Sequence, residues 1–209
     1  LIREMDGGKD GGTLWQMVMQ PLNEAGDLET ERTRIYNEAL ARLFKKYNPG
    51  ELSRFYRKEY IPELDYSLSK QGLLMMALNA GTADNWQKLV AGYQQRKGWT
   101  EEQMRAAINR LEKRDWEFVQ GVLDLVNSLW PEIEAKEKRV KGIAPEKVPA
   151  QPIQTPYGTF PGGYFPLSYD ERQSEKAYSD RVKEMAEKTM QGAFTAATTK
   201  RGFTKARVE

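Results

Sequence analysis

Neither histidine nor cysteine occurs anywhere in these 209 residues. Those two absences exclude a Ser-His or Cys-His nucleophile, an imidazole or thiolate metal site, a disulfide and an iron–sulfur cluster. Long apolar runs are missing as well. The longest, Leu73 to Leu78, is six residues, against about 20 needed to span a bilayer. No signal peptide is expected, because Leu1-Ile2-Arg3-Glu4 leads into acidic, Gly-rich sequence. Nor is there an excess of either charge: 32 basic and 30 acidic residues leave +2. Absence of cysteine is compatible with any redox compartment. A first residue other than Met leads us to expect a piece of something longer.

What is present suggests a folded but polar protein. Leu, Ile, Val and Phe make up 41 of the 209 residues, just under the ~20% at which disorder becomes a concern. The high net charge that accompanies disorder is absent. Five Trp, ten Tyr and eight Met add apolar area. A chain of this length buries well over half of its unfolded surface and needs no staples.

The Gly-rich lead, Asp6 to Gly12, is expected to be a flexible loop. A phosphate-cradling loop would follow Lys9 with Ser or Thr, and Asp10 stands there. Thr13 is placed to cap a first helix carrying Leu14, Trp15, Met17, Val18 and Leu22, which Pro21 should kink. From Asp27 the apolar positions Leu28, Ile35, Ala39, Leu40, Leu43, Phe44 and Tyr47 repeat at helical spacing. Asn48-Pro49-Gly50-Glu51 supplies a cap, a Pro at the first helical position and Glu at the third, predicting a short helix through Tyr56 that Ile61-Pro62 ends. Ser69 starts a buried helix that Gly81 should stop, and Asp84 caps another short one holding Trp86, Leu89 and Val90. Thr100-Glu101-Glu102-Gln103 is a capping box. From Trp116, Val119, Val122, Val126, Leu129 and Ile133 form a seam for packing against partner helices, with a break at Pro131 near Ser128–Trp130. Gly142 terminates that run. Residues 143–169 hold six of the ten prolines, which forbids helix. Ile153 to Tyr169 is expected to form an irregular hairpin turning at Pro156-Tyr157-Gly158 and clamping its aromatic rings onto the helices. A polar helix from Asp170 to about Gln191 and a basic tail close the chain. The fold class is therefore mainly α: an irregular bundle of kinked helices over 1–142, a Pro-rich extended arm over 143–169, and a C-terminal helix and tail over 170–209.

Without His or Cys, acid–base work would fall to carboxylates, Tyr or Lys. Asp115 and Glu117 are two apart on one helix and face different ways, so they are no shared catalytic pair. Glu101 and Glu102 suit a helix N-terminus electrostatically. Asp124, opposite the seam, reads as solvated. A single Glu can serve as the acid of a glycan-cleaving enzyme, but nothing singles one out. No catalytic, metal or cofactor residue is assigned. Candidate nucleic-acid contacts are Lys45 and Lys46 beside Tyr47, then Arg54, Arg57 and Lys58 around Phe55 and Tyr56, and the tail cations Lys200, Arg201, Lys205 and Arg207. Cations interleaved with rings neutralise phosphates and stack bases. Glu51 and Glu59 flank the middle cluster, for which a solvated helix face is the simpler reading; the tail, with no apolar pattern to fold around, suits either.

One series of segments carries a resemblance. Leu78-Asn79-Ala80-Gly81 with Asn85-Trp86-Gln87-Lys88-Leu89 precedes Gly98-Trp99-Thr100-Glu101-Glu102 and Asp115-Trp116-Glu117-Phe118-Val119-Gln120. Ser128-Leu129-Trp130-Pro131-Glu132-Ile133, Gly142-Ile143-Ala144-Pro145, Gly162-Gly163-Tyr164-Phe165-Pro166-Leu167 and Thr204-Lys205-Ala206-Arg207 complete the order. Over about residues 72–207 the chain resembles a helical region of the very large polyvalent proteins of tailed phages and prophages. The resemblance implies a structural and interaction module of a virion or ejection protein, carried in the particle and delivered into the host with the genome. Its expected partners are other virion or tail proteins, a second copy of itself, or DNA, with no membrane-spanning segment. Enzymatic domains such as helicase or polymerase units would lie elsewhere in the polypeptide. The alternatives are a nucleic-acid-binding segment of that protein, or a non-catalytic fragment of a larger virion enzyme. Trp116, Trp130, Pro131, Gly163, Tyr164 and Pro166 then read as packing and turn residues.

Overall fold

A computed structural model describes residues 12, 13 and 15–166, and is mainly helical with two small two-stranded sheets. The expected helix from Asp170 and the basic tail lie outside the described residues. The chain divides into two compact units, Leu1–Lys46 and Tyr47–Glu209.

The first unit is dominated by one long helix. A π-helical turn, Trp15–Met19, passes directly into α1, Gln20–Phe44. The break expected at Pro21 thus takes the form of a π turn. Pro21 then sits in the first turn of α1, where a missing N–H leaves no helix bond unmade. The separate helix expected from Asp27 is continuous with this one, passing through Gly26, whose carbonyl accepts the Thr30 hydroxyl at 2.9 Å. No residue of α1 is buried.

The second unit begins as the sequence predicts. Asn48 and Glu51 form a reciprocal capping box that opens α2, Pro49–Arg54. A hairpin then stands where the sequence predicts only the end of a helix. Its strands are β1, Lys58–Ile61, and β2, Tyr66–Ser69, paired antiparallel with Lys58 opposite Ser69 and Ile61 opposite Tyr66. Pro62 starts a 3-10 turn that Asp65 closes in the left-handed region at φ 46°, a conformation Asp tolerates. The Tyr60 hydroxyl donates to Asp65 at 2.6 Å across that turn.

Ser69 caps α3, Lys70–Asn79, by accepting the Gly72 amide at 3.2 Å. Thr82 then precedes α4, Ala83–Lys97, which is longer than expected and ends at Gly98 with φ 73°. The Thr100–Gln103 capping box opens α5, Glu101–Ile108. A third box, Glu112 with Asp115, opens α6, Lys113–Asn127. As anticipated, the seam breaks at Ser128–Leu129, and α7, Trp130–Lys141, restarts with Pro131 in its first turn and ends at Gly142. The core lies where α3 meets α5 and α6. Trp116, Met104 and Leu123 are fully enclosed there.

The Pro-rich segment folds back over these helices. β3, Ile153–Thr155, and β4, Gly158–Phe160, form the expected hairpin. Phe160 stacks on Trp116 at 6.2 Å. Residues 161–166 continue without regular structure, and Leu167 to Tyr169 lie outside the described residues. Only the first half of the α6 seam, Val119 and Val122, is buried among helices. Beyond it, Val126, Leu129 and Ile133 pack against Val148 and Tyr164 of the arm. The seam predicts a helical partner for that stretch; the turn at Pro131 redirects the chain, and extended backbone covers the apolar stripe instead.

Gly81 directly follows Ala80, the cap of α3, where the sequence places the helix stop, and it has a second role. Its carbonyl accepts the Gln151 amide at 2.8 Å and the Gly163 amide at 3.0 Å. A Cβ on Gly81 would lie 2.2 Å from the Gly163 carbonyl oxygen, so the two backbones meet only because Gly81 carries no side chain. Gln120, on α6, completes the clasp: its amide nitrogen donates to the Gly162 carbonyl, and its oxygen accepts the Gly162 amide, both at 3.0 Å.

Candidate functional site

Among the described residues the most enclosed charge is Asp115, at the third position of α6 and only 1% exposed. One carboxylate oxygen accepts the Tyr47 hydroxyl at 2.8 Å and pairs with the Lys70 ammonium at 2.8 Å. The other accepts the Glu112 amide at 2.9 Å. Positions 47, 70 and 112, far apart in the chain, are thereby tied to one carboxylate. Tyr47 also packs edge-on against Phe55 and Phe118. Burial, reinforced by the Asp115 hydrogen bond, pushes its hydroxyl well above the ordinary value of 10.0. Lys70 stands 5.5 Å from the Tyr47 and Phe55 rings. Alongside is an open hollow of about 400 Å³, which Glu59, Lys70, Arg110 and Glu112 also line. The lining carries both signs, and its deepest acid is already saturated with donors. Glu117 is half-buried and Asp124 exposed, the latter accepting Gln120 at 2.7 Å. Asp115 and Glu117 sit on different faces of α6, as their spacing requires.

A second hollow, about 440 Å³, lies between the start of α4 and the arm, lined by Thr82, Ala83, Asp84 and residues 146–152. Asp84, Glu146 and Lys147 share its lining. Glu101, predicted as a first-turn acid, accepts the Trp86 indole N–H at 2.9 Å and the Arg105 guanidinium at 2.8 Å. Those contacts, the indole foremost, hold its carboxyl below the usual range. Among the described residues no group of three or more acids is placed to hold a metal ion, and no helix is long and apolar enough to cross a membrane.

The basic–aromatic cluster is divided by burial. Tyr47 and Phe55 are 4% and 7% exposed, so these rings belong to the core and cannot stack on bases. Tyr56, by contrast, is 72% exposed. Arg54 closes α2, Arg57 donates its amide to the Arg54 carbonyl at 2.9 Å, and Lys58 opens β1. This bend leaves three exposed cations around one exposed ring. None of the three forms an ion pair with a described residue. Glu51, which flanks them in sequence, is turned elsewhere: it pairs with Arg114 at 2.6 Å and accepts the Asn48 amide at 2.9 Å. Only Glu59 remains beside the patch, also exposed. Lys45 and Lys46 are exposed at the end of the first unit. Lys200, Arg201, Lys205 and Arg207 lie outside the described residues.

The Asp115 node does not emerge from comparing Asp115 with Glu117 alone. Its spacing of three and four to Phe118 and Val119 places it on the buried arc of α6, and that signal is present in the sequence. No family model, curated protein or solved structure matches this chain.

Proposed function

We propose that this chain is a non-catalytic docking module of a large phage polypeptide of the polyvalent kind it resembles, packaged in the virion and delivered with the genome. One observation supports the non-catalytic part. Both buried acids among the described residues are bound to cations, Asp115 to Lys70 and Glu137 to Lys141. A carboxylate held this way is engaged by its own neighbours and not presented to a substrate. The virion assignment rests on the series of sequence segments from Leu78 to Arg207 that carries the resemblance. Immunodetection tests it: antibody against this chain should label purified phage particles, and the host cytosol soon after infection. Signal confined to fractions without particles would contradict it.

A second reading is favoured by the patch at Arg54, Tyr56, Arg57 and Lys58. Three cations with no ion-pair partner among the described residues, around an exposed ring, suit a single-stranded phosphate backbone with a stacked base. Titrating the full chain with an oligonucleotide should give affinity falling about as the second power of salt, near 0.7 per neutralised phosphate. Affinity indifferent to salt would remove this reading.

A further inference from the structure

We infer that single-stranded nucleic acid held at the Arg54–Lys58 patch runs on along the outer face of the β1–β2 hairpin, where Tyr60 is its second stacking ring. The inference rests on the nucleic-acid reading of that patch and extends the site beyond it. Strand register supplies the first support. Successive side chains of a strand point to opposite faces. Lys58 and Tyr60 therefore share one face of β1, and Glu59 shares the other with Ile61. That second face is the inner one: Ile61 is buried, and Glu59 lines the hollow beside Asp115 together with Ile61 and Leu68. The acid nearest the patch is thus turned away from the cations. Outward, β1 presents one positive charge and one ring.

The second support is how open and how fixed that ring is. Tyr60 is 58% exposed, and among the described residues no other ring or cation lies against it. Its neighbour across the ladder is Ser67, and Lys58 stands opposite Ser69. A serine opposite leaves the tyrosine face uncovered, where a larger cross-strand partner would pack on it. The Tyr60 hydroxyl donates to Asp65 at 2.6 Å. This bond holds the ring in place before a base arrives and so lowers the ordering cost of stacking. Asp65 also closes the path, because a carboxylate at the hairpin tip repels phosphate and keeps the strand's charge on the side of Arg54, Arg57 and Lys58. Tyr56, the exposed ring of the patch, is four residues from Tyr60, at most about 14 Å of chain, so one strand reaches both. Every base has a face to stack, and the path accordingly takes single strands of any sequence.

Two variants of the full chain separate the ring from its hydroxyl. Tyr60→Thr and Tyr60→Phe both lose the Asp65 bond, only the first loses the ring, and threonine keeps the strand preference. Once denaturation midpoints show both folded, each is titrated with oligothymidylate and with an abasic oligonucleotide of the same length. Tyr60→Thr should weaken oligothymidylate binding about ten-fold, whereas Tyr60→Phe should stay within about two-fold of the unmodified chain. The salt dependence should be unchanged, since neither variant removes a cation, and both should bind the abasic strand as the unmodified chain does. Undiminished oligothymidylate binding by Tyr60→Thr, still salt-dependent, would overturn the path along the hairpin and leave the patch standing. An equal loss on the abasic strand would make the role of Tyr60 structural and overturn it too. Salt-independent binding by the unmodified chain, or none, would remove both patch and path. Preference for phosphatidylserine vesicles over either oligonucleotide would assign the face to a membrane surface instead.

Discussion

Asp115 joins three stretches of chain through one carboxylate, so its removal has a defined cost. Asp115→Ala leaves the Tyr47 hydroxyl and the Lys70 ammonium facing a void. Breaking a buried ion pair costs about 3–5 kcal/mol. Because the Lys70 side chain is 28% exposed and recovers water, the low end, about 3 kcal/mol, is expected in chemical denaturation. Tyr47 supplies a pH signature. Its folded-state proton affinity is raised above the unfolded value of 10.0, so the folded state holds the proton longer. The stability this provides is complete below pH 10 and is lost as pH rises above it, when the unfolded chain ionises first. Tyr47→Phe should flatten that alkaline loss relative to the unaltered protein. An alkaline profile identical in both would show that the hydroxyl is not the titrating group.

Local chemistry explains why the helices are legible in the sequence. Asn48-Pro49-Gly50-Glu51 and Thr100 to Gln103 place donors and acceptors within four residues: the second box forms as predicted, and the Asn48 cap forms with Glu51 closing a reciprocal box as well. Pro131 and Gly142 bound α7 for equally local reasons. The β1–β2 hairpin is harder to read because Pro62 looks like a stop, whereas it initiates the turn between two four-residue strands. The clasp is illegible because it is non-local: nothing around Gly81 announces a partner 82 residues later at Gly163. Its consequence is testable. A Cβ at Gly162, where φ is 78°, would lie 1.9 Å from the Gln151 carbonyl oxygen. Gly162→Ala should therefore destabilise by about 3 kcal/mol, combining backbone strain and overpacking. It should also speed amide exchange over 148–164 before α3 or α6 is affected. Uniform change across the unit would mean that the arm is no separable element.

On the proposed readings stability and recognition fall to different side chains, and the two compact units differ in how much they bury. Helix α1 has no buried residue while α6 has seven, from Asp115 to Leu123. Amide exchange should accordingly be faster in α1 than in α6. A polar composition and a core assembled from short helices predict modest stability, which the proposed delivery through a phage tail would require. A thermal midpoint above about 90 °C would contradict that rationale. For the fold class, period and caps carry most of the information. For the surface patch, the sequence offers three rings and the fold leaves one, because burial of Tyr47 and Phe55 is decided by Asp115 and Phe118, far along the chain. The division between holding and docking is tested most directly by measuring oligonucleotide affinity and denaturation midpoint together on two variants. Arg54→Gln/Arg57→Gln/Lys58→Gln should lose most of the salt-dependent affinity and keep the midpoint, while Asp115→Asn should lower the midpoint and keep the affinity. Loss of affinity in Asp115→Asn at temperatures where it remains folded, with the triple variant binding normally, would contradict the account.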